Sequence, residues 1–174
     1  MRFSEIKRFP TVHYRIDVPL GYVLDTLARY TEDGLNMNPD FQRGYVWTKR
    51  QQIAYVEYLL KEPTSGREIY FNHPGWMSNW KGDFVLVDGL QRLTAVTAFL
   101  TNSIKVYGHF IKDFQDKIPI DIALSFSIAK LQTRKEVLEW YLDFNTGGTY
   151  HTEKEIAKVK TLIAEASIVT NSIK

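Results

Sequence analysis

The sequence predicts an α+β fold, a small mixed β-sheet flanked by helices, as one domain over residues 11–174 behind an N-terminal arm of residues 1–10. Three observations predict it. Short runs rich in β-branched and aromatic residues alternate with stretches of helical period. Three capping-box pairs, Thr48 with Gln51, Thr133 with Glu136 and Thr152 with Glu155, each open a helical stretch. One apolar run, Phe84-Val85-Leu86-Val87, breaks at Asp88-Gly89 and passes directly into a helical pattern. Strands and helices in this mixture pack as layers around one core.

Taken along the chain, residues 1–10 end in Pro10 and form the arm. Thr11 to Val18 alternates and predicts a strand; Pro19 to about Tyr30 predicts a helix with Val23, Leu24 and Leu27 on one side. Thr31-Glu32-Asp33-Gly34 is a turn. The Thr48 cap opens a helix to about Lys61, with Ile53, Val56, Leu59 and Leu60 inward. Strands are predicted at Glu68–Asn72 and Asp83–Val87, joined by a loop His73–Gly82 holding two Trp. Leu90 to Leu100 forms a helix burying Leu93, Val96, Phe99 and Leu100. Weaker strand signals lie at Ile104–Tyr107 and Asp121–Ile128. The Thr133 cap opens a helix to about Asp143, with Val137, Leu138 and Tyr141 inward. The Thr152 cap opens one to about Ala166, with Ile156, Val159, Ile163 and Ala166 inward, and the last residues, from Asn171, fray.

Composition narrows the chemistry. The 174 residues are 44% hydrophobic and 24% charged, which suits a globular domain with its own core. There is no cysteine, which rules out disulfides, zinc-thiolate sites and thiol catalysis. A net charge of +2 is too small to diagnose a nucleic-acid binder, although a local patch can still touch DNA. The four histidines show no ligand spacing. The first residues hold no apolar leader, and no apolar run nears the ~18 residues a membrane span needs. A cytoplasmic protein is the expectation.

Chemistry concentrates where the strand feeds the helix. A helix start offers unpaired amides and partial positive charge, a natural place for phosphate. Gly89 removes a side chain where an anion would approach the backbone. Arg92, in the first turn, can fork onto phosphate oxygens, and Gln91 adds a neutral donor and acceptor. Asp88 can hold a metal ion bridging phosphates, or can simply cap the helix. Read alone, Asp-Gly before a helix is equally an ordinary turn. Upstream, Asn38 to Trp47 places Gln42 and Arg43 among large aromatics; Arg43 can reach a phosphate and Tyr45 or Trp47 can stack on a base. In the other reading Phe41, Val46 and Trp47 merely anchor a loop. Downstream, Asn145 can hydrogen-bond a ligand beside Gly147-Gly148, or these residues can form a plain helix stop. Lys49-Arg50 and Lys154, Lys158 and Lys160 read as solvated faces.

Three segments together resemble one family. Asn38-Pro39-Asp40-Phe41-Gln42-Arg43-Gly44-Tyr45-Val46-Trp47 is similar to its Pro-x-Phe-Gln-Arg-x-x-Val-Trp segment. Val87-Asp88-Gly89-Leu90-Gln91-Arg92-Leu93-Thr94 is similar to its Asp-Gly-Gln-Gln-Arg-Leu-Thr motif, and Asn145-Thr146-Gly147-Gly148 to its later Asn-x-Gly-Gly element before a helix. The family is the N-terminal domain of GmrSD-type modification-dependent restriction endonucleases, related to the ParB/sulfiredoxin superfamily, and the similarity covers roughly residues 15–165. It implies a ParB/sulfiredoxin-like sheet and a pocket for a nucleoside triphosphate, with Mg²⁺ as a companion. By position, Asp88 and Arg92 inherit a catalytic role, and Asp88 that of metal ligand. Gln42, Arg43, Asp88, Gly89, Gln91, Arg92 and Asn145 inherit nucleotide contacts. Leu90 stands where the motif has its first Gln, so one polar contact is missing.

The resemblance implies a nucleotide-binding domain whose NTP hydrolysis powers or gates DNA cleavage by a separate nuclease subunit; on its own the chain is not expected to cut DNA. Two alternatives stay open: a non-catalytic protein that sequesters a nucleotide or serves as a decoy subunit, and a ParB-like DNA-associated regulator.

Overall fold

The structure, a computed structural model, describes residues 1–2, 5–6, 10–146 and 152–171. Residues 3–4, 7–9, 147–151 and 172–174, among them Gly147, Gly148 and His151, lie outside the described residues. Four strands, β1 (Val12–Pro19), β2 (Glu68–Asn72), β3 (Val85–Asp88) and β4 (Ala123–Ala129), make one mixed sheet in the order β1-β4-β2-β3. β4 pairs antiparallel with β1 and parallel with β2, and β3 closes the far side antiparallel to β2. Five helices accompany them: α1 (Val23–Glu32), α2 (Lys49–Leu59), α3 (Leu90–Leu100), α4 (Arg134–Thr146) and α5 (Glu153–Asn171).

The strand period of two splits the core between two faces. Val18, Ile69, Phe71, Leu86, Leu124, Phe126 and Ile128 bury one face with α1, α2 and α3 through Val23, Leu59, Leu93 and Val96. Val87, Ala129 and Tyr70 bury the other with α4 and α5 through Val137, Leu138, Tyr141 and Val159. Every residue of β4 is buried, including the small polar Ser125 and Ser127 that alternate with Leu124, Phe126 and Ile128. That strand is the hub of the sheet.

All three capping boxes form. The Gln51 amide donates to Thr48 Oγ1 at 3.3 Å while the Thr48 amide donates to Gln51 Oε1 at 2.8 Å. Thr133 with Glu136 and Thr152 with Glu155 repeat the exchange. The structure corrects two elements. Pro19 does not start a helix; it is the last residue of β1, opposite Ala123, and a 3-10 turn Leu20–Tyr22 precedes α1. Ile104–Tyr107 is not a strand. Tyr107 and Gly108 both take positive φ, so Val106 turns back to bridge His109 while Ile104 and Val106 fill the space behind α2 and α3.

The loop after β2 is packed rather than loose. His73, 1% exposed, sits among Trp76, Trp80 and Phe84. Its Nδ1 accepts from the Gly75 amide at 3.1 Å. Burial pushes the imidazole below its usual pKa, so the folded protein prefers it neutral. Below about pH 6.5 the unfolded chain binds a proton at this histidine that the native state resists, and stability must fall with pH there. Melting temperature followed down through that range should drop, and His73→Asn should flatten part of the slope; an identical slope in the variant would remove His73 as its source.

Candidate functional site

β3 delivers Asp88 to the sheet's end, Gly89 turns the chain at φ +107°, and α3 begins at Leu90. Leu93 donates the first helical bond, to Gly89 O at 2.9 Å. Gly89 has no side chain to cap the helix, and among the described residues no side chain accepts from the amides of Leu90, Gln91 and Arg92. The start of α3 is therefore an uncapped donor end with its partial positive charge intact.

This end forms part of a cavity of about 210 Å³ lined by Gln42, Arg43, Trp47, Asp88, Gly89, Leu90, Gln91, Arg92, Tyr141, Phe144 and Asn145. All seven residues singled out from the sequence thus meet in one hollow, drawn from three segments far apart in the chain. Sequence reasoning missed Tyr141 and Phe144 as wall residues. With Asn145 they share one face of α4 at helical spacing, a signal the sequence carried.

The side chains fall into two groups. Arg92 Nη2 donates to Asp88 Oδ2 at 2.5 Å across the strand-to-helix turn, with 25% and 33% of the two side chains exposed. The pair is reachable from solvent. Arg92 Nε is buried and has no acceptor among the described residues. Arg43 donates its amide to Tyr141 Oη at 3.3 Å. Burial raises the Tyr141 pKa, while the amide bond and the charge of Arg43 pull it back. Arg43 and Arg92 thus both line the hollow that the open amides face.

The amide side chains do something else. Gln91 Oε1 accepts from the amides of Val46 and Trp47 at 3.0 and 3.1 Å, and its Nε2 donates to Gly44 O at 3.3 Å. Gln91 is thereby a clamp on the 44–47 segment. Gln42 Nε2 donates to Leu86 O and Val87 O at 3.0 and 3.1 Å, fixing the same loop to β3. Asn145 Nδ2 donates to Tyr141 O, one turn back along α4. These three groups build the wall. Gly89 also differs from its expected purpose: a Cβ there would lie 2.7 Å from Ile69 Cδ1 and 3.2 Å from Ile69 Cα. The glycine answers to the core and to its φ, not to an incoming anion.

Asp40 ties the loop down from outside. Arg134 Nη2 donates to both Asp40 oxygens, at 2.7 and 2.6 Å, and Lys158 Nζ donates to Asp40 O. The Arg134 hydrogen bond holds the Asp40 carboxyl below its usual pKa. Lys158 is thus more than a solvated charge. Phe41 is buried against Tyr141 with ring centres 5.1 Å apart, so it is the loop's anchor, as one reading of the sequence had it, while Tyr45 and Val46 stay exposed.

The model of the GmrSD restriction endonuclease N-terminal domain matches residues 23–161. The chain belongs to this family. The match runs from the start of α1 into α5, so every pocket residue of this GmrSD N-terminal domain lies within it, whereas β1 precedes it. Membership links the chain to a restriction endonuclease system. No curated protein and no solved structure matches it. Among the described residues no helix of this GmrSD N-terminal domain is long and apolar enough to cross a membrane.

Proposed function

We propose that the pocket at the start of α3 binds the phosphates of a nucleoside triphosphate, and that occupancy regulates DNA cleavage by a nuclease partner of the restriction system. One observation carries this reading: the uncapped amides of residues 90–92, the Arg92 guanidinium and Arg43 surround one solvent-reachable hollow. Amides supply directed donors and the arginines supply charge, the combination that phosphate oxygens require. The hollow is smaller than the roughly 300–1,000 Å³ of a site enclosing a drug-sized ligand. It suits the phosphates, with the nucleoside reaching out along Trp47, Tyr141 and Phe144.

Mg²⁺ fits as a companion of the phosphates rather than as a resident ion. No cluster of three His, Cys, Asp or Glu among the described residues could hold a metal. Asp88 keeps one carboxylate oxygen, Oδ1, beyond the Oδ2 that Arg92 engages. One carboxylate plus substrate phosphates is a usual way to bind Mg²⁺. The ion, when bound, would screen the charge between phosphates. Asp88 would orient it or a water, and Arg92 would neutralise the phosphate oxygens.

Binding without turnover is the second reading, favoured by the same hydrogen bonds. Gln42, Gln91 and Asn145 are engaged by protein, and Asp88 already gives one carboxylate oxygen to Arg92, which weakens it as a base. Thermal unfolding with each NTP and Mg²⁺ tests both. A site filled at ~100 times its dissociation constant should gain about 2.7 kcal/mol. At roughly 2–4 °C per kcal/mol for a domain of this size, the melting temperature should rise by roughly 5–10 °C. Nucleotide recovered intact after long incubation selects the binder; no shift with any nucleotide rejects the site.

A further inference from the structure

The two edges of the sheet are treated differently. On the β3 edge, Asn36 covers the strand: its amide donates to Phe84 O and its carbonyl accepts from Leu86. On the β1 edge no described residue pairs with the outer backbone. The parity of that edge follows from two hydrogen bonds. Leu20 donates to Ile122 O, so even-numbered residues of β1 from Tyr14 onward face β4, and Ser125 donates to Arg67 O, so odd-numbered residues of β4 face β2. Arg15, Asp17 and Pro19 therefore turn their backbone groups outward, while the bulge at His13 interrupts the pattern. Pro19 falls where its missing N–H costs the β1–β4 ladder nothing.

We propose that β1 is a dimerisation edge, through which two copies of this chain pair antiparallel about a two-fold axis at Ile16. The sequence around that axis is self-complementary. Arg15 stands opposite the second copy's Asp17, and Asp17 opposite its Arg15, so each charge pair occurs twice. Both residues carry outward backbone groups, so the same register lets them exchange main-chain bonds. Among the described residues neither forms an ion pair; Arg15 uses Nε on Ser125 Oγ and keeps both Nη groups for a carboxylate. On the opposite face Ile16 meets its symmetry mate at the close, non-hydrogen-bonded position. Ile16 and Tyr22 are 41% and 58% exposed and line one groove between β1 and α1, which the pairing would cover. The inference is independent of the nucleotide pocket, which lies at the other end of the strand order.

Sedimentation of the full chain over a concentration series tests it. The parent protein should dimerise. Arg15→Glu and Asp17→Arg should each weaken the dimer at least roughly tenfold, because like charges then meet twice, and the combined reversal should restore it to within roughly threefold. Circular dichroism checks that each variant folds. Hydrogen exchange needs no variant: the Arg15 and Asp17 amides should slow as concentration rises. A parent chain that stays monomeric, single reversals as dimeric as the parent, or concentration-independent exchange at those amides would overturn the proposal.

Discussion

Gly89→Ala is expected to destabilise the domain by about 2–6 kcal/mol, summing the strain of a non-glycine residue at this φ and the overpacking of a well-filled core. Both penalties are visible at one atom. The backbone takes φ +107°, where L side chains are strained, and the added methyl would sit 2.7 Å from Ile69 Cδ1 and 3.2 Å from the Ile69 backbone. β2 cannot retreat easily, because it is held between β4 and β3. Chemical denaturation measures the loss. Combining the change with Ile69→Val separates the causes: removing Cδ1 relieves the side-chain clash but leaves the backbone approach and the φ. Recovery of part of the loss is the expected outcome. Full recovery would mean that the backbone strain is negligible, and an undiminished loss would mean that the clash is.

Arg92→Ala is expected to abolish the nucleotide-induced rise in melting temperature while lowering the stability of the ligand-free protein by only about 0–1 kcal/mol. The Arg92–Asp88 pair is part-exposed and solvent-screened, and such pairs contribute little to folding. In a phosphate site the same guanidinium does far more, as a charge-assisted donor beside three open amides. Asp88→Asn gives the opposite signature. Without Mg²⁺ it should tighten nucleotide binding, because a carboxylate no longer opposes the phosphates; with Mg²⁺ that advantage should vanish as a metal ligand is lost. A rise preserved in Arg92→Ala, or a response to Asp88→Asn independent of Mg²⁺, would place the ligand elsewhere.

Both predictions rest on one turn, and they show how far local pattern reaches. The apolar run ending at Asp88-Gly89 announced the strand, the break and the helix, because a change of period from two to 3.6 across a glycine is written in consecutive residues. The meeting of Gln42, Arg43, Asp88, Gly89, Gln91, Arg92 and Asn145 was legible through the joint resemblance of three segments, and the structure brings them to one hollow. Their individual tasks were not legible. Gln91 was expected to offer its amide to a ligand, but Val46, Trp47 and Gly44 occupy it, partners more than forty positions away. Gly89 was expected to admit an anion, and it admits Ile69.

By itself the sequence determined the α+β class, the three capped helix starts, and a helix beginning just after Gly89, since caps, turns and periodicity depend on neighbours within a few positions. Only the tertiary structure decided that β4 lies at the centre of the sheet, that Pro19 closes β1, that residues 104–107 form a turn rather than a strand, and that the polar amides near the pocket brace its wall. Those outcomes depend on which backbone carbonyl or apolar face arrives from a remote part of the chain. A hydrogen bond or a buried contact of that kind is chosen by packing, and no local spacing records it.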